Sequence, residues 1–138
     1  MRIIKGMVVL FLFVSAIARA ETDADCLKHL GGALSGVECY SGLSTDLSIE
    51  NNSLLMAIDK TIPIKDGNRN LLRQYMKQQD RLRKYCLLSK NALNQWDAEQ
   101  REVNPRYHDY DVVYAECIYD LLKQQNAFLK KVLESTSL

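Results

Sequence analysis

Val113 to Leu133 reads VYAECIYDLLKQQNAFLKKVL. Apolar residues fall at Val113, Cys117, Ile118, Leu121, Leu122, Phe128, Leu129, Val132 and Leu133, three and four apart. That spacing lines one face of an α-helix and leaves no alternation of period two. Two further stripes stand upstream. Leu43, Leu47, Leu54, Leu55, Ile58 and Ile62 form the first, and Leu72, Tyr75, Met76, Leu82, Cys86, Leu93 and Trp96 the second. Pro63 disfavours helix at Ile62, and Asp66-Gly67 marks a turn between them. Asn68 or Asn70 is expected to cap the second helix. A polar connection, Asp97 to Tyr110 with Asn104-Pro105 inside it, precedes the third. A shorter leading helix is expected over Asp25–Leu34, ended by Gly36. No segment alternates long enough for a strand. The fold class is therefore all-α, an antiparallel three-helix bundle with a short leading helix and two disulfides.

The cysteines fit that layout. Cys86 and Cys117 are equidistant from a point inside the Asp97–Tyr110 connection, and Cys39 and Cys86 from the Pro63 turn. Cys39, Cys86 and Cys117 thus fall at one level of an up-down-up bundle. Three connectivities are possible. Cys26–Cys39 with Cys86–Cys117 is favoured, and Cys39–Cys86 with Cys26–Cys117 comes second. Zinc calls for closely spaced ligand pairs, and four cysteines 13, 47 and 31 residues apart offer none.

The N-terminus places those thiols in an oxidising compartment, where an even count reads as two disulfides. Arg2 and Lys5 precede an apolar run from Met7 to Ala18, and Ala18-Arg19-Ala20 gives a small–x–small cleavage pattern. Residues 1–20 read as a secretory signal peptide, too short in its apolar run for a membrane anchor. Residues 21–138 are then a single helical domain of the periplasm or exterior. Of 138 residues, 47% are hydrophobic and 25% charged, with a net charge of +1. Cleavage leaves 15 basic and 17 acidic side chains, a net charge of −2. That balance argues against a nucleic-acid partner held by bulk electrostatics. Hydrophobic content is too high for a disordered chain.

Charge is nonetheless patterned. Arg69, Arg73, Lys77, Arg81, Arg83 and Lys84 face only Asp80 on the second helix, a local +5. Stepping by four, Arg69 to Arg81 form one solvated stripe, read as an ordinary solvent face or as a surface for an acidic partner. The Asp97–Asp111 stretch is acidic and aromatic. Arg101, Arg106, Tyr107, His108, Asp109, Tyr110 and Asp111 are its candidate partner-binding residues, because tyrosines suit interfaces and long loops often carry function. Its plainer reading is a mobile linker. His108 with Asp109 and Asp111 reads as a solvated polar loop before it reads as a metal site, and no catalytic residue or cofactor is expected. Gln79 and Gln125 interrupt their stripes and read as edge residues, with a buried amide pair as the other reading. Trp96 reads as the last core residue of its helix, and Tyr114 and Tyr119 as boundary packing.

The order of these features resembles a known family. Asp25-Cys26, Glu38-Cys39, Asn51-Asn52, Gln78-Gln79, Arg83-Lys84-Tyr85-Cys86 and Cys117-Ile118-Tyr119-Asp120-Leu121 look like the LprI-like lysozyme inhibitors of bacterial secreted proteins. Where that family carries Asp-x-x-Leu-Asn-x-x-Tyr, this chain reads SIENNSLL over Ser48–Leu55. The resemblance supports the Cys26–Cys39 pairing. It implies a secreted binding protein whose protein partner is a lysozyme-type hydrolase. The alternative is an envelope assembly factor that binds an acidic partner through the basic helix face.

Overall fold

The computed structural model describes residues 26, 32–97, 104 and 106–136. Over these the chain is helical, with no strand among the described residues. The elements are α1 (Gly32–Thr61), α2 (Asn68–Arg83), α3 (Cys86–Leu93), a 3₁₀ turn η1 (Tyr107–Tyr110) and α4 (Asp111–Ser135). No helix among the described residues is long and apolar enough to cross a membrane. The whole expected signal peptide, and most of the expected leading helix, lie outside the described residues.

All four cysteines are bridged, Cys26 to Cys39 and Cys86 to Cys117, in the favoured connectivity. On the chain-entropy account, loops of 13 and 31 residues stabilise the fold by about 3 and about 4 kcal/mol. The main core cluster joins Cys26, Cys39 and Tyr40 to Ala115 and Tyr119 of α4, with Leu43, Leu47 and Val112 against it. Ile58, Leu122 and Leu129 are also fully buried. Each such aliphatic side chain contributes roughly 1.5–3 kcal/mol on burial.

α1 and α4 meet along their lengths. Gly36 lies against Val112, the Tyr40 and Tyr119 rings are 5.7 Å apart, Asn51 bonds Asn126, and Glu50 pairs with Lys130 at 2.8 Å. Gly36 does not end a leading helix as expected; it sits within α1. Its role is steric: a Cβ there would stand 2.7 Å from Val112 Cγ2. Tyr75 stacks 4.5 Å from Phe128, and Cys86 is bonded to Cys117, which brings α2 and α3 onto α4.

The second apolar stripe folds as two helices, not one. Lys84 and Tyr85 form a turn with i→i+3 bonds, Tyr85 N–H to Leu82 O and Leu88 N–H to Tyr85 O, both 2.9 Å. The tightening shifts the phase of the helix just ahead of the bridged Cys86. Of the expected stripe, Leu82 before the turn and Leu93 after it are both exposed. α3 stops at Leu93 in a Schellman motif: Gln95 N–H donates to Ala92 O and Trp96 N–H to Asn91 O, both 3.0 Å. Gln95 and Trp96 are left-handed, with φ of 53° and 63°, a conformation that favours glycine. Trp96 is therefore no core residue: it lies past the helix and is 61% exposed.

Neither expected asparagine caps α2. Gly67 holds the N-cap position without a side-chain bond, and Asp66 Oδ1 instead accepts from Asn68 N–H at 2.8 Å. The end of α1 is closed by Arg69, whose Nη2 donates to Asp59 O and Ile62 O at 3.0 Å. These are carbonyls that a helix C-terminus leaves unpaired.

Candidate functional site: a cleft beside the η1 turn

An open cleft of about 780 Å³ runs beside the seam between α1 and the start of α4. Val37, Ser41 and Ser44 line it from α1, and Tyr114, Ala115 and Ile118 from α4. Arg83 joins from the end of α2, and His108, Asp109 and Asp111 from η1 and the first residue of α4. The walls are mostly carbon, with a few convergent polar groups, the usual make-up of a binding site. Ser44 Oγ is buried without a hydrogen-bond partner among the described residues.

Side chains tie the η1 turn to α3 and the residues just after it. Asn104 Nδ2 donates to Asn94 Oδ1 at 2.7 Å, and Asn94 Nδ2 donates to Asp97 O at 2.9 Å. Asn104 Oδ1 in turn accepts from Arg106 N–H at 2.9 Å. Tyr107 hydroxyl donates to Asn91 Oδ1 at 3.1 Å. The Lys90 ammonium lies 3.9 Å from the centre of the Tyr107 ring and forms a close ion pair with Asp111. Only 9% of the Lys90 side chain is exposed, so this ammonium is held by a carboxylate and an aromatic face rather than by water. His108 Nδ1 stands 3.5 Å from Asp111 Oδ2, an ion pair only when the imidazole is protonated.

The expected partner-binding residues thus divide. Arg106, His108 and Asp109 are exposed, with 86% of the His108 side chain open. Tyr107 and Asp111 are committed to Asn91 and Lys90. Tyr110 lines a second, polar cleft of about 260 Å³ with Asn94 and Asn104. Arg101 lies outside the described residues. Among the described residues, no group of three or more His, Cys, Asp or Glu could hold a metal ion.

The basic stripe is shorter than its spacing suggests. Arg69 is turned onto the end of α1, and Arg83 lies 3.5 Å from Asp80. Arg73, Lys77, Arg81 and Lys84 remain as the exposed part.

The amides give the largest departure from the sequence reading. Gln125 is 2% exposed, and its partner is not Gln79. Asn51, also 2% exposed, donates through Nδ2 to Leu122 O and to Gln125 Oε1, both 3.2 Å. Asn126 Nδ2 donates to Asn51 Oδ1 at 2.9 Å, and Gln125 Nε2 donates to Met76 Sδ at 3.1 Å. Lys90 and Asn94 were likewise unexpected in the interior. The one available signal was phase: Lys90 follows Cys86 by four residues and shares its face. Tyr119 belongs to the core rather than its boundary, and Tyr114 to the cleft.

No protein-family model matches the chain, and neither a curated protein nor a solved structure does.

Proposed function

We propose that this chain is an exported binding protein that occludes a lysozyme-type cell-wall hydrolase with the η1 edge of its cleft. The scaffold is read as an up-down-up bundle. In support, contacts between α1 and α4 advance together, from Gly36–Val112 to Asn51–Asn126. Those of α2 and α3 on α4 run oppositely, from Tyr75–Phe128 through Cys86–Cys117 to Lys90–Asp111. Two bridges and a secretory N-terminus support an oxidising, extracytoplasmic setting.

The observation that carries the functional reading is the turn itself. Arg106, His108 and Asp109 stand exposed on a base pinned by Lys90, Asn91, Asn94 and Asn104. A preorganised surface loses little conformational freedom on binding, which favours affinity. Lysozymes are typically basic, and the acidic side of this edge suits such a partner. The resemblance to LprI-like inhibitors points to the same class of target. Binding, rather than catalysis, is the activity assigned.

The test is bacterial-wall clearing by a panel of lysozymes, with and without the purified secreted form. Inhibition is expected for at least one. Asp109→Lys should then slow association and flatten its salt dependence. Clearing that proceeds unchanged for every lysozyme, at micromolar protein, ends the proposal.

A further inference from the structure

We infer that the cleft is a receptor for a basic aliphatic side chain, the guanidinium or ammonium of a partner's Arg or Lys, with Asp109 as its counter-ion. The inference rests on the reading that this edge faces the partner, and it names the chemistry the partner must bring.

Charge accounting around the cleft leads there. Three lining residues besides His108 carry charge: Arg83, Asp109 and Asp111. Asp111 is engaged by the buried Lys90, and Arg83 has Asp80 beside it at 3.5 Å. Asp109 is exposed and has no ion pair among the described residues. The surplus charge at the cleft is therefore one carboxylate. A cationic occupant is selected by that surplus, and an anionic one is opposed by it.

Size and lining define the rest of the occupant. Along α4 the cleft extends from Asp111 to Ile118, about 10 Å of helix. Val37, Ala115 and Ile118 give it apolar walls. The methylene stem of Lys or Arg covers such a wall while its head stays at the wet mouth. A short polar cation leaves the walls bare, and a purely apolar side chain leaves Asp109 unanswered. Arg suits the geometry better than Lys, because its planar fork can bond a carboxylate through two N–H groups.

The test uses small probes on the secreted protein, with chemical shifts as the readout. n-Hexylguanidinium, ethylguanidinium and hexanoate are titrated separately. n-Hexylguanidinium is expected to shift Val37, Ala115 and Ile118 and to bind about tenfold tighter than ethylguanidinium, since about two of its four extra methylenes enter the open apolar lining. Hexanoate should leave those resonances in place. Asp109→Asn should weaken n-hexylguanidinium about fivefold, the scale of one partly exposed charge pair. Asp46→Asn, an exposed carboxylate on α1 outside the cleft, should change nothing. Hexanoate binding as well as the cation, or an Asp109→Asn variant equal to the parent, overturns the inference.

Lysozyme inhibition is read separately. Probe binding at the cleft without inhibition of any lysozyme upholds the side-chain receptor and removes the hydrolase. Inhibition that persists while no cation enters the cleft does the reverse.

Discussion

Replacing Asn51 by Ala tests the buried amides directly. The side chain is 2% exposed and makes three hydrogen bonds, to Leu122 O, Gln125 Oε1 and Asn126 Nδ2. Its loss leaves the Gln125 carbonyl oxygen and the Asn126 amide, both buried, without those bonds. An unsatisfied buried polar group costs roughly 1–3 kcal/mol. Two of them, plus the space of the lost amide, give a loss of about 3–4 kcal/mol. For a domain of this size that is a fall in Tm of roughly 12–16 °C. Urea unfolding followed by far-ultraviolet circular dichroism measures it. Gln124→Ala, on the exposed face of the same helix, should move stability by less than about 0.5 kcal/mol. Substituting Asn51, Gln125 and Asn126 together by Leu should recover most of the loss, because no polar atom is then stranded. An Asn51→Ala loss under about 1 kcal/mol would mean that water reaches the amides and the reasoning fails.

Three other measurements bear on separate parts of the fold. Cys86→Ser with Cys117→Ser should lower stability by about 4 kcal/mol in denaturant unfolding, from the 31-residue loop released. Gln95→Gly should raise stability by about 0.5–1 kcal/mol in the same assay, since its φ of 53° suits glycine. Burial raises the Tyr75 phenol above its ordinary value near 10. The folded state therefore holds that proton more tightly, and stability falls as pH rises above about 10. Tyr75→Phe should remove that part of the alkaline decline, seen as a smaller drop in Tm between pH 9 and pH 11.

Helical class and disulfide connectivity were legible because periodicity and chain order act locally. The apolar stripe of α4 needed only its own spacing. The turn between Cys86 and Cys117 put the two level, though the Pro63 turn also put Cys39 level with Cys86, and the family resemblance supported Cys26–Cys39. The break at Lys84–Tyr85 was not legible: no Pro or Gly marks it, and both residues keep helical φ and ψ. The inward turn of Asn51, Gln125 and Asn126 depends on partners more than 70 positions away along the chain. Hydrophobicity ranks such amides as surface groups, so only the tertiary contact reveals them. The candidate site was half legible for the same reason. Arg106, His108 and Asp109 announced a polar loop. Nothing local announced that Lys90 would go inside and hold Tyr107 and Asp111 in place, or that Val37 and Ile118 would wall a cleft beside them.

The connectivity also bears on how the molecule matures. Each cysteine is joined to its nearest neighbour in chain order, first with second and third with fourth. Oxidation that couples thiols in chain order therefore reaches the native pattern directly, with no rearrangement of bridges.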